Sequence, residues 1–256
     1  MTHEFSRTEL IIGSENLQKL ADSTIVIFGL GGVGSHCTEA LARCGVGHLV
    51  LVDNDQVSLT NINRQSIAYH STIGQYKTHL MQTRIADINP ATQVTTFETF
   101  VLPENLAPLL DCLGPITYLI DAIDTVSAKL AIAEYAHQHQ IPLLASMGTG
   151  NKLHAELFQI ADITSTSVCP LCRVMRRELK KRGIEHLKVL YSQEPPLTPN
   201  ASEELTTNKR SIPGSISFVP PVAGLLIAGE AIRDLISISI ATPSTIHTAK
   251  HQSDPP

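Results

Sequence analysis

The stretch that most constrains this chain is residues 24–34, Thr-Ile-Val-Ile-Phe-Gly-Leu-Gly-Gly-Val-Gly. Its first five residues show no polar alternation, so they read as a strand buried on both faces. Glycines break that strand at once, and residues 33–44 then read as a helix. Strand, glycine turn and helix in this order make a phosphate-binding unit. Gly29 lets the chain turn sharply at the strand end. Gly31 and Gly32 let a phosphate approach backbone, and Gly34 lets the helix pack close to the strand. The helix N-terminus adds free N–H groups and a partial positive charge.

The rest of the first 150 residues repeats the alternation. A second strand, 48–52, ends at Asp53, where an acid reaches ribose hydroxyls in such folds. Helix 74–88 follows, then a weaker strand 93–98, strand 116–120, helix 126–139 and strand 141–145. This pattern predicts an α/β, Rossmann-like, doubly wound and mostly parallel sheet with right-handed crossovers. Past Ser146 the alternation stops. Strand 156–160, a basic helix over 170–181 and strand 187–191 suggest a C-terminal antiparallel extension. Residues 192–214, rich in Pro, Ser, Thr and Asn, are long for a loop in a compact domain. The expected division is one domain over 1–240, with a nucleotide half over about 1–150 and a substrate and dimer half over 151–240. Residues 241–256, polar with three prolines, read as a disordered tail.

A glycine turn does not say which phosphates it holds. A dinucleotide pyrophosphate carries about two negative charges, which a helix N-terminus can manage; a triphosphate carries about four and needs cations. Such cations follow Asp53 in order. Asn61-Ile62-Asn63-Arg64-Gln65 comes first, then Gly74-Gln75-Tyr76-Lys77 at the start of a helix. Asp124 and Thr125 lie just past a strand end, where open α/β sheets bind ligands, and Asp124 could hold Mg2+. Together these favour ATP, while an NAD-dependent oxidoreductase stays open as the other reading of the turn.

Composition bounds the partners. The net charge is −5, so a nucleic-acid site has to be a local patch. Five scattered cysteines argue against a disulfide framework and for a reducing, cytoplasmic setting. The N-terminus lacks the apolar core of a signal peptide. The apolar run 221–240 is interrupted by Glu230, Arg233 and Asp234, so it reads as a buried or dimer-interface helix and no membrane span is expected.

Gly29–Gly34, Asp53, the Asn61–Gln65 run, Gly74–Lys77 and Asp121-Ala122-Ile123-Asp124-Thr125 together resemble the ThiF/MoeB/HesA superfamily of adenylating enzymes. The resemblance implies Asp53 as ribose ligand, Arg64 and Lys77 as phosphate ligands and catalytic groups, and Asp124 as the Mg2+-associated acid. It places Asn61 and Asn63 at the nucleotide. Arg7, in Phe5-Ser6-Arg7, resembles an arginine that reaches the ATP of a partner subunit, which implies a homodimer. Within the superfamily the chain resembles the tRNA threonylcarbamoyladenosine dehydratases, through residues 5–10, 121–125, 158–163 and Ser217-Phe218-Val219-Pro220-Pro221-Val222-Ala223-Gly224. That resemblance implies ATP-dependent adenylation of a threonyl carboxylate beside the tRNA anticodon, followed by cyclisation. Adenylation of a sulfur-carrier protein, with a sulfur-transfer protein as partner, is the alternative within the superfamily. A noncatalytic, nucleotide-gated scaffold is a further one.

Two features remain. Cys169-Pro170-Leu171-Cys172 could be half a zinc site, but no second such pair exists, and the two read as free thiols or a weak site shared across a dimer. The dehydratase resemblance would put Asp-Pro where Cys169-Pro170 stands. Arg173, Arg176, Arg177, Lys180 and Lys181 cluster on one helix. A stripe of this kind is a solvated face or a contact for phosphate backbone, and the resemblance favours tRNA. No pair of the eleven histidines shows ligand spacing.

Overall fold

A computed structural model describes residues 2–200 and 213–237. Among the described residues seven strands form one sheet: β1 (Thr24–Phe28), β2 (His48–Val52), β3 (Gln93–Phe97), β4 (Tyr118–Asp121), β5 (Leu143–Ser146), β6 (Phe158–Asp162) and β7 (Lys188–Ser192). Their order is β3-β2-β1-β4-β5-β7-β6. Every neighbouring pair is parallel except β6 with β7, which form the antiparallel edge. The order reverses between β1 and β4, so a crevice opens beyond their C-terminal ends.

The helices are α1 (Ser6–Ala21), α2 (Gly34–Arg43), α3 (Lys77–Ile88), α4 (Pro103–Asp111), α5 (Val126–His139), α6 (Pro170–Lys181) and α7 (Val219–Ile236). They cover both faces of the sheet. Ile25 and Ile27 of β1 join Leu41, Met81 and Ile227 of α2, α3 and α7. Val26 and Phe28 join Leu110, Ile132 and Met175 of α4, α5 and α6. All four strand residues are wholly buried, which is why β1 carries no polar alternation.

Backbone contact at two glycines fixes how these layers meet. A Cβ on Gly34 would lie 1.7 Å from the Gly29 carbonyl oxygen, so α2 starts against the end of β1. A Cβ on Gly224 would lie 2.3 Å from the Val33 carbonyl oxygen, so α7 crosses the start of α2.

Some bounds differ from the sequence reading. The helix expected from residue 74 begins at Lys77, because Gly74 sits at φ +83 and Tyr76 bridges to Gln56. Two helices were not expected. α1 is interrupted at Gly13 (φ +78), and among its residues only Leu20 is buried. α4 contains Pro103 and Pro108, but Pro103 occupies the first turn, where a missing N–H costs nothing. The core then holds α4 through Leu106, Leu109 and Leu110. The tail over 241–256 and most of the 192–214 loop lie outside the described residues. Among the described residues no helix is long and apolar enough to cross a membrane.

Gly224→Ala is expected to destabilise the protein by about 2–3 kcal/mol through this overpacking. Gly114→Ala, which meets nothing within 4 Å, should change stability by less than about 0.5 kcal/mol. Urea denaturation of the two variants beside the wild type checks the contrast.

Candidate functional site

The crevice is a cleft of about 660 Å³. The glycine turn, the strand ends of β2, β4 and β5, and the segment 213–215 wall it in. Gly29 has φ +90, a conformation costly to any other L-residue, and a Cβ there would meet Ala122 O at 2.9 Å. A Cβ on Gly31 would meet nothing within 4 Å, so that backbone faces open cleft. No side chain caps the N-terminus of α2, and although the Ser35 amide donates to Gly31 O at 3.0 Å, the positive end of the helix still faces the turn. Gly34 stands apart from this lining: it lies behind the turn, wedged on Gly29.

Asp53 braces the turn from β2. Its Oδ2 accepts the Leu30 amide at 2.6 Å and its Oδ1 the Asp55 amide at 2.8 Å. Burial pushes the Asp53 carboxyl above its ordinary pKa, against the opposing pull of Lys77 and the two amides. Lys77, at the first turn of α3, is itself buried. Its Nζ donates to Asp55 Oδ2 at 2.7 Å and lies 3.8 Å from Asp53 Oδ2. Asp55 thus joins Asp53 and Lys77, a partner the sequence reading did not name. The signal was the acidic run after β2, but Asp55 is most exposed among these groups and reads as a loop residue.

Arg64 is half-buried, and desolvation lowers its pKa. Its Nη1 donates to Thr60 O and to Asn63 Oδ1, both at 2.9 Å. No carboxylate pairs with it among the described residues, so its charge faces the cleft uncompensated. Asn61 lines the cleft and accepts the Ser58 amide at 3.1 Å. Asn63 does not line it. Its oxygen is taken by Arg64 and its amide donates to Ser215 O at 3.0 Å, so it is a brace for the arginine. Gln65 lines the cleft, is buried, and keeps Oε1 without a hydrogen-bond partner among the described residues. An orphaned buried acceptor at a cleft wall suits a bound donor such as a nucleotide amine or hydroxyl.

Asp124 is exposed at the lip and Thr125 lines the cleft at the start of α5. Below them sits an ion pair the sequence reading missed. Lys129 Nζ lies 2.8 Å from Asp121 Oδ2, and both side chains are wholly buried. The lysine also donates to Ile123 O at 3.1 Å and Ser146 O at 2.7 Å. Asp121 Oδ1 accepts the Ile123 amide at 3.2 Å, while Oδ2 is held by the lysine's charge. Burial pushes Asp121 upward and Lys129 opposes that. One lysine therefore ties together the ends of β4 and β5, both of which lead into the cleft. A lysine inside a helical pattern reads as solvent-facing, which is why periodicity hid it.

The basic stripe on α6 divides. Arg173, Arg177, Lys180 and Lys181 are exposed. Arg176 is not part of that surface: its guanidinium donates to Ile163 O at 2.9 Å and Thr166 O at 2.7 Å. It closes the turn before α6 and is removed from the phosphate-contact set. Arg177 and Lys181 share Glu178 at 3.1 and 3.0 Å, which leaves Arg173 and Lys180 without an acid partner among the described residues. Leu171, in the first turn of α6, lines the cleft, so the stripe leads away from its wall. Arg7 is exposed on α1 and does not line the cleft of its own chain.

Comparison with known proteins fits this geometry. Residues 5–253 match the ThiF family. The chain is 42% identical over 245 residues to a tRNA threonylcarbamoyladenosine dehydratase of Bacillus subtilis, covering 92% of this chain and 96% of that protein. It superposes on the E. coli tRNA N6-threonylcarbamoyladenosine dehydratase crystallised with AMP, with TM-score 0.82 and 32% identity over 91% of this chain and 94% of that one. The same enzyme crystallised with ATP gives TM-score 0.81 and 31% identity, covering 98% and 96%. Adenylation is thus supported over the oxidoreductase reading of the glycine turn.

Lys129→Met is expected to cost about 3–5 kcal/mol, because it strands a buried carboxylate. The double variant with Asp121→Leu should recover much of that loss, since no charge is then left unpaired. Denaturant midpoints of the two variants check both expectations.

Proposed function

The chain belongs to the ThiF family, and on that premise we propose that it is an ATP-dependent tRNA threonylcarbamoyladenosine dehydratase. The observation that carries this reading is the meeting of the open glycine turn, Asp53, Arg64, Lys77 and Asp124 at one cleft. In this reaction a carboxylate oxygen of the substrate attacks the α-phosphorus of ATP, and the bond to the β-phosphate breaks. Pyrophosphate leaves, and the carboxyl becomes a mixed anhydride with AMP. A nucleophile of the same substituent then displaces AMP and closes the ring, so that the net change in the nucleoside is loss of water.

The protein's own groups have three tasks. The turn amides and the α2 N-terminus receive phosphate oxygens. Arg64 and Lys77 stabilise the charge that grows as pyrophosphate departs, and Lys77 exchanges part of its contact with Asp55 for that charge. The walls hold the carboxylate in line with the α-phosphorus, a positioning task that needs no Ser or Cys nucleophile. Asp124 would hold Mg2+, which supplies charge neutralisation on the phosphates. Among the described residues no three metal-ligating side chains cluster, and a single lip carboxylate suits a cation carried mostly by phosphate and water.

The protein works as a homodimer in this reading. Leu10 and Ile11 of α1 are 86% and 84% exposed, an apolar pair beside Arg7 that a second subunit would cover. Arg7 then serves the neighbour's cleft. The exposed Arg173 and Lys180 contact tRNA phosphates, and the site of action is cytoplasmic.

The test is incubation with ATP and tRNA carrying threonylcarbamoyladenosine, with mass analysis of the digested nucleosides. A nucleoside lighter by one water, formed only with ATP, is expected; pyrophosphate release without it would move the substrate to a carrier protein. Lys77→Ala should lower this activity by roughly 10²–10³-fold, measured below its melting temperature, which falls because Asp53 and Asp55 lose their cation, and full activity of the folded variant would remove Lys77 from the phosphates. Arg173→Glu with Lys180→Glu should weaken tRNA binding by about tenfold at physiological salt and spare ATP binding. Unchanged tRNA affinity would return the stripe to a solvated face.

A further inference from the structure

The cysteine pair at the start of α6 has a geometry that the adenylation chemistry does not use. The turn after β6 delivers Cys169 to the N-cap of α6, with Pro170 in the first turn. Just before it, Val168 is held at φ +62, a strained conformation for a β-branched residue, and the Cys169 amide donates to Ser167 O at 2.6 Å. The Cys169 sulfur accepts the Cys172 amide at 3.5 Å, and the Leu171 and Gly148 amides also point to it. Cys172 stands three residues on, in the first turn of the same helix, so both thiols belong to one turn of α6. Both side chains are buried. Gly148 and Leu171, on either side of the pair, line the cleft.

A metal is a poor account of this pair. Zinc takes four ligands, and among the described residues no third His, Cys, Asp or Glu joins the two sulfurs. We propose instead that Cys169 and Cys172 form a reversible dithiol–disulfide site in the wall of the cleft, with Cys169 the attacking sulfur and Cys172 the resolving one. The oxidant is a hydroperoxide. The Cys169 thiolate attacks the distal peroxide oxygen, the O–O bond breaks, and the leaving alkoxide or hydroxide takes a proton; Cys169 becomes a sulfenic acid. The Cys172 sulfur then attacks the Cys169 sulfur, its thiol proton leaves with the sulfenic hydroxyl as water, and the S–S bond forms. The two electrons lost by the dithiol are those that reduced the peroxide. A dithiol reductant reverses the step.

The order of attack follows from the surroundings. The Cys172 thiol and the three amides stabilise a negative Cys169 sulfur, bringing its pKa down to about 5. The same contact, with burial, pushes Cys172 upward, opposed by the Thr166 hydroxyl and the Arg176 charge that also face it. Cys172 therefore holds its proton until Cys169 has been oxidised. The cleft reads the change through Gly148. Its amide faces a negative sulfur in the dithiol form and a neutral one in the disulfide, so the wall 147–150 is held less firmly after oxidation.

The experiment uses the full-length protein carrying Cys112→Ser, which removes the exposed thiol. Reduced protein is treated with hydrogen peroxide, digested without reductant and mapped by mass. The expected product is a Cys169–Cys172 link, lighter by two hydrogens and reversed by dithiothreitol. In Cys172→Ser, Cys169 should stop at a sulfenic acid that dimedone traps. Cys169→Ser keeps a good helix cap, so it should fold normally and form no link. Alkylation of Cys169 should be nearly constant above about pH 6, where an unperturbed thiol would still rise about tenfold per pH unit. Two thiols untouched by peroxide, or one tightly bound zinc that blocks their alkylation, would overturn the site. These readouts do not depend on what the cleft binds. The link to the cleft rests on the nucleotide reading: ATP affinity of the disulfide form should fall about fivefold or more, and equal affinity in both forms would overturn that link.

Discussion

Helix α2 begins in backbone contact with the end of β1, and much of the molecule follows from that contact. No Cβ fits at Gly34, because the Gly29 carbonyl occupies its place. The helix N-terminus is thereby held at the mouth of the crevice where the strand order reverses. Asp53 reaches across from β2 to take the Leu30 amide, which fixes the turn in its open shape. Gly224 then lets α7 lie across the start of α2, so that the second helix layer locks the first. Strand, turn and two helices form one rigid seat, and the cleft is the space left above it.

The charges around that seat are arranged in two different ways. Lys77 is matched by Asp53 and Asp55, so it is stable in the absence of a ligand. Among the described residues Arg64 is held only by neutral oxygens, and it keeps its positive field directed at the cleft. An incoming polyphosphate therefore meets one uncompensated cation and one that must release an acid. Beneath them the buried Asp121–Lys129 pair touches no cleft surface, yet its lysine clamps two strand ends. It is a costly element to bury, and its worth lies in fixing the Asp124 loop relative to the strip after β5.

Much of this was readable from the sequence because its signals are local. A two-sided apolar strand, glycines at fixed offsets and acids at strand ends are each dictated by backbone geometry, and so were β1, β2, β4 and the turn. Arg64, Lys77 and Asp124 were named as site residues, and all three reach one cleft. What failed depends on contacts distant in sequence. Asn63 and Arg176 read as ligand and surface charge, but carbonyls and a side chain elsewhere claim them. Lys129 was invisible because its partner lies in another element. α4 was hidden by prolines whose placement only the core explains. The cysteine pair, read as free thiols, is free, and only its burial at a helix N-cap needed the fold.

The central claim is that a carboxylate attacks the α-phosphorus in this cleft. The most direct measurement is oxygen transfer, using tRNA whose threonylcarbamoyl carboxylate carries ¹⁸O. The account predicts that AMP released on ring closure holds one ¹⁸O atom on its phosphate, with unlabelled pyrophosphate. Label in inorganic phosphate with ADP as the nucleotide product would place the attack on the γ-phosphorus and contradict the account.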